Sequence, residues 1–149
     1  MSCLDLRNKL QAEDRKDCFD ASPVAKEGGK RFAFANAGKK TICRVKVDNC
    51  LIKDTQKKCD FLFKVLELEK YYLVELKGVN IDDGVKQIIS TYKAVNEKIK
   101  AAPQSYSGII VSSSIPSSAH QRFRKLQEKC YRDTKLMIKK THIEHIERI

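Results

Sequence analysis

The sequence predicts an α/β fold: a central mixed β-sheet flanked by helices. Three observations lead there. Two short runs rich in aromatic and aliphatic residues, 59–63 and 71–74, lie between charged turns and read as adjacent buried strands. Val85, Ile88, Ile89, Tyr92, Val95 and Ile99 recur at helical spacing. The wholly apolar run 108–111 suits a buried parallel strand. The expected order is helix, three-strand meander, helix, strand, helix, strand, in one domain spanning 1–149.

In chain order, Cys3, Leu6, Leu10, Glu13 and Asp17 fall at steps of three and four, the mark of one helix face. Glu13 on that stripe is either a carboxylate aimed at a site or the wet end of the helix. Residues 20–29 contain Ser-Pro and Gly-Gly and read as a loop carrying an exposed Glu27. Residues 31–35 suit an edge strand, and 36–40 a turn with Lys39 and Lys40. Residues 41–52 alternate like one long strand, returned by a hairpin at 53–57 that carries Lys57, with Lys58 just after it. A turn centred near Thr55 sets Cys50 opposite Asp60 and Asp48 opposite Leu62, so that Asp48 shares a face with Asp60.

The charged turn 67–70 leads into a third strand, 71–77, ended by Gly78. Asp82 or Asp83 is placed to cap the following helix, and Gln87 and Thr91 lie on its flank. A small-residue loop, 112–118, precedes a further helix with Ala119, Phe123, Leu126 and Cys130 inward. Its other face carries Arg122, Arg124, Lys125, Lys129 and Arg132, either a phosphate grip or a solvated surface. Residues 135–141 read as a last edge strand. Ile143, Ile146 and Ile149, three apart, suggest a short terminal helix packed on the body or on a second copy.

Thirty Lys and Arg against 19 Asp and Glu give a net charge of +11, which favours a polyanionic partner, most often nucleic acid. No apolar run approaches the ~20 residues of a membrane span, and the first residues lack a signal-peptide core. The expectation is a cytoplasmic protein with no membrane partner. Six scattered cysteines without a Cys-x-x-Cys pair read as small buried hydrophobes, and structural zinc is disfavoured.

Chemistry concentrates where charge interrupts the apolar strands. Asp60, Glu75 and Lys77 sit in segments that otherwise belong in a core, and Glu75 and Lys77 project from one strand face. Buried charge is costly unless paired or bound to metal. Two carboxylates on neighbouring strands suit Mg²⁺, which prefers hard oxygen ligands, and the Leu76 carbonyl can add another. Lys77 can hold the attacking water or meet charge developing on phosphorus. The bland alternative is a structural Glu75–Lys77 ion pair with Asp60 capping a turn.

Asp60, fourteen further residues, then Glu75-Leu76-Lys77-Gly78 resembles the PD-(D/E)XK nuclease superfamily. The order of elements resembles that family's restriction-endonuclease-like core as well. The resemblance implies a Mg²⁺-dependent (or Mn²⁺-dependent) deoxyribonuclease, an endonuclease, with Asp60 and Glu75 as metal ligands and Lys77 as the catalytic amine. It further implies a cleft-lining Gln87 on the next helix, although Thr91 stands where some families carry a tyrosine. It implies a glutamate from the first helix, for which Glu13 is the best match and Glu27 the next. Small stand-alone members often act as homodimers. The rival readings are a non-catalytic nucleic-acid-binding or scaffold subunit on the same fold, and a nuclease acting on RNA.

Overall fold

The computed structural model describes residues 1–12, 14–76, 80–113 and 118–149. It is an α/β protein with three helices, a mixed six-stranded sheet and a smaller three-stranded sheet.

Helix α1 (Cys3–Lys9) begins with a capping box, in which the Ser2 hydroxyl accepts from the Asp5 amide and the Ser2 amide donates to the Asp5 carboxylate. It is shorter than the expected inward stripe, because the chain turns at Gln11 with a φ of 55°. Glu13 lies outside the described residues. Short strand β1 (Phe19–Asp20) follows, then β2 (Val24–Glu27) within the expected loop, then β3 (Lys30–Ala35).

Strand β4 (Ile42–Lys46) is much shorter than the strand expected over 41–52. The alternation continues in sequence, but Asn49 adopts a φ of 57° and the Leu51 and Ile52 amides fold back onto the carbonyls of Lys46 and Val47. Asn tolerates that left-handed conformation, and its turn chemistry overrides the strand pattern. β5 (Phe61–Val65) and β6 (Lys70–Glu75) complete the antiparallel meander. Helix α2 (Ile81–Ile99) is capped by Asn80, whose side chain accepts from the Asp83 amide; Asp82 and Asp83 are first-turn acids, not caps. β7 (Tyr106–Ser112), α3 (Ser118–Thr134), β8 (Met137–His142) and β9 (Glu144–Arg148) follow. Phe123 and Cys130 are buried on α3 as expected and Leu126 is half-buried; the expected inward Ala119 side chain lies outside the described set.

The large sheet runs β1-β4-β5-β6-β7-β8, with β6, β7 and β8 mutually parallel. Because strands 6, 7 and 8 advance in one direction, crossovers of one hand put α2 and α3 on the same face. α1, α2 and α3 all contribute to one apolar layer, with Leu6, Ile88, Val95 and Phe123 against Val45, Leu62, Leu73 and Ile110. The opposite face is covered by the second sheet, β2-β3-β9, through Phe32 and Phe34 packed on Phe63, Tyr72 and Val74. Helices therefore cover one face and not both. β3 is the centre of that sheet, not an edge strand. The terminal segment is strand β9 and not a helix, pairing in parallel with β3. Its inward residues are His145, stacked on Phe32, and Glu147, bonded to Lys139 and His145, so no apolar alternation announces it.

The crossover packs most tightly at Gly108 on β7. A Cβ there would lie 2.8 Å from Ile88 Cγ2 and 3.0 Å from Ile138 Cγ1. Both isoleucines are buried core, so neither yields cheaply. Gly108→Ala is expected to destabilise the fold by about 1–3 kcal/mol, measured as a lower denaturant midpoint at unchanged slope.

Four of the six cysteines form disulfides, Cys3–Cys43 and Cys18–Cys50, while Cys59 and Cys130 are free and buried. The reading of all six as free buried thiols holds only for that last pair. Among the described residues no helix is long and apolar enough to cross a membrane.

Candidate active site

β5 and β6 carry Asp60 and Glu75 to the same end of the meander. Their ladder ends with Phe61 paired to Val74, and just before it the Asp60 amide donates to the same Val74 carbonyl at 3.1 Å, so the chain bulges at Asp60 instead of carrying the register on to Glu75. Tyr71 and Leu73 of β6 enter the helix-side layer, so alternation directs Glu75 to the same side. Asp60 is 4% exposed and Glu75 1%. An Asp60 carboxylate oxygen accepts the Leu76 amide at 2.8 Å. That bond ties the end of β6 to the start of β5, the capping role that the structural alternative assigned to Asp60, and it leaves the carboxylate further lone pairs. Lys77 lies outside the described residues, as does Glu13.

Cys59 reports on the local field. Burial pushes its thiol well above the ordinary range, and the charges of Glu75 and Asp60 push it higher. Two buried carboxylates at one end of the meander offer hard oxygen donors of the kind a divalent cation prefers.

Thr91, which the sequence set on the helix flank beside Gln87 and as a departure from a family pattern, positions this end of the sheet. It is fully buried on α2, accepts the Cys59 amide at 2.8 Å and donates to the Gln87 carbonyl at 2.9 Å. The residue before Asp60 is thereby pinned to the helix. Gln87 is half-buried one turn earlier on the same side of α2. A polar residue one helical turn after Gln87, beside the apolar stripe, was the available signal. Thr91→Val is expected to strand the buried Cys59 amide and cost about 1–3 kcal/mol, read by thermal denaturation. Thr91→Ser, which keeps the hydroxyl, is expected to restore most of it.

The sequence-based strand pairing is displaced. Val45, not Asp48, lies opposite Leu62, and Lys46 pairs with Phe61, while the Val47 amide donates to the Asp60 carbonyl at 2.9 Å. Asp48 sits in the turn beyond β4. Even so, it reaches the neighbourhood of Asp60: a cleft of about 350 Å³ is walled by Lys26, Glu27, Lys46, Asp48, Asn49, Asp60 and Phe61. Glu27 comes to it on β2, half-buried, and not from an exposed loop. A larger cleft of about 810 Å³, between the segment 10–15 after α1, helix α2 and residues 51–56, touches neither Asp60 nor Glu75.

Among the described residues, three acid, thiol or imidazole ligand atoms within 4.8 Å of one another occur only at Asp17, Cys18 and Cys50. Cys18 and Cys50 are joined to each other, so that cluster lacks thiolates. Of the basic residues, Lys57 pairs with Asp83, Arg122 with Asp82 and Lys129 with Asp133, while Arg124, Lys125 and Arg132 are exposed along α3.

No family model, no curated protein and no solved structure matches this chain.

Proposed function

We propose that the protein is a magnesium-dependent nuclease that hydrolyses phosphodiester bonds of DNA, with its centre at Asp60 and Glu75. The observation that carries this reading is the burial of two carboxylates at one end of the meander, where an Asp60 oxygen accepts the amide of Leu76, the residue next to Glu75. A fold rarely retains such a pair in its core without use for it. Bound Mg²⁺ (or Mn²⁺ in its place) would supply Lewis-acid chemistry at the scissile phosphate. Asp60 and Glu75 would hold it, with the Leu76 carbonyl a further oxygen donor. Lys77 follows immediately in sequence and is assigned to orient water and balance charge on phosphorus. Gln87 on α2 is assigned to line the centre, and Glu27 or Asp48 joins Glu13 as a candidate additional acid, because both line the cleft that Asp60 also lines. The charge of +11 and the cationic surface of α3 suit a polyanionic substrate.

The test is a panel of plasmid, linear, single-stranded and branched DNA, with RNA, incubated with Mg²⁺, Mn²⁺ or chelator. Metal-dependent cutting of DNA is expected, with plasmid nicking marking an endonuclease. Binding without cutting under every metal condition would favour the non-catalytic subunit, and cutting confined to RNA would favour the ribonuclease.

A further inference from the structure

We propose that the outer edge of β9 docks a second copy of this chain, through an antiparallel β9–β9 pair with its two-fold axis at Ile146. The inference rests on β9 alone and is independent of the nuclease reading. β9 is a terminal strand of the β2-β3-β9 sheet, so one row of its backbone groups faces away from β3. Residues 143–149 read Ile-Glu-His-Ile-Glu-Arg-Ile. Turned antiparallel on itself about Ile146, this segment sets Glu144 against Arg148, His145 against Glu147 and Ile146 against Ile146. Every charged position meets an opposite charge or an imidazole. Shifting the axis to His145 or Glu147 sets two imidazoles or two carboxylates face to face, and an axis between 145 and 146 opposes Glu144 to Glu147. Charge complementarity therefore selects one register.

The exposed face of β9 is already arranged for it. Glu144, Ile146 and Arg148 all point outward, and Ile146 is 41% exposed. Glu144 bonds Arg31 of its own chain at 3.0 Å, and a partner's Arg148 would extend that row into Arg31–Glu144–Arg148. Among the described residues Arg148 has no ion pair within its own chain. Pairing would join three strands from each copy into one continuous sheet and cover Ile146 with its symmetry mate.

Sedimentation of the wild type and three variants tests the proposal. Glu144→Arg and Arg148→Glu are each expected to weaken self-association about tenfold or more, since each reversal opposes like charges at two symmetric places. The double reversal is expected to restore association toward the wild type. Under mild oxidation Ile146→Cys is expected to give a covalent dimer, and Arg148→Cys, which faces Glu144, is not. A wild type monomeric at ~1 mM would overturn the proposal. So would a natively folded double variant no better than the singles, or equal cross-linking at both cysteine positions.

Discussion

Glu75→Gln and Asp60→Asn are each expected to lower DNA cleavage by on the order of 10²–10³-fold, because each removes a carboxylate that would hold the ion stabilising the charge that develops on phosphate. Both replacements keep the size of the side chain and remove its negative charge. Asp60→Asn also retains an oxygen able to accept the Leu76 amide, so the strand end that this bond secures survives. Circular dichroism should therefore match the wild type while activity is lost. Wild-type protein is expected to melt at a higher temperature with Mg²⁺ than with chelator, because a ligand bound only by the native state stabilises it. Neither variant should show that shift. Cleavage at the wild-type rate in either variant would remove that carboxylate from the mechanism.

The largest effect on stability is expected from the disulfides. Cys3–Cys43 joins α1 to β4 across a separation of 40 residues, and Cys18–Cys50 joins the turn before β1 to the turn after β4 across 32. On the chain-entropy account, closing loops of that length contributes about 3–4 kcal/mol each. A Cys3→Ser, Cys43→Ser double variant is expected to melt roughly 10 °C lower. Reductant is expected to lower the melting temperature of the wild type and to leave a variant lacking both bridges unmoved. Cys59 and Cys130 are buried and separate from these bridges, so serine at the four bridging positions alone suffices for the control.

Much of the large sheet was legible in the sequence because its strands and helices carry clean periodicities. Tyr71, Leu73 and the alternating Tyr72 and Val74 fill two different apolar layers, and the stripe from Val85 to Ile99 meets one of them. The second sheet was obscured for local reasons. β2 lies among turn residues, and β9 places His145 and Glu147 inward, where ring stacking and hydrogen bonds replace apolar burial. The three-residue spacing of Ile143, Ile146 and Ile149 imitates a helix. Ile143 is in fact a turn residue with a φ of 66°. The disulfides were hidden because partners distant in sequence become neighbours only once α1 and the turn after β4 are placed.

At the candidate site the sequence located Asp60 and Glu75 through their cost, as acids inside apolar runs. It placed Asp48 in the wrong strand register, since the Asn49 turn that ends β4 breaks the alternation on which that register relied. Glu27 was assigned to an exposed loop and is half-buried on β2, beside the same cleft as Asp60. Thr91 acts on the backbone of Cys59, and a contact of that kind leaves almost no trace in the spacing of residue types.

The most direct measurement is the anomalous scattering of Mn²⁺ in crystals of the protein. One ion with oxygens of both Asp60 and Glu75 in its coordination sphere is the predicted result. An ion bound elsewhere, with these two carboxylates left outside its coordination sphere at saturating Mn²⁺, would contradict a shared metal centre.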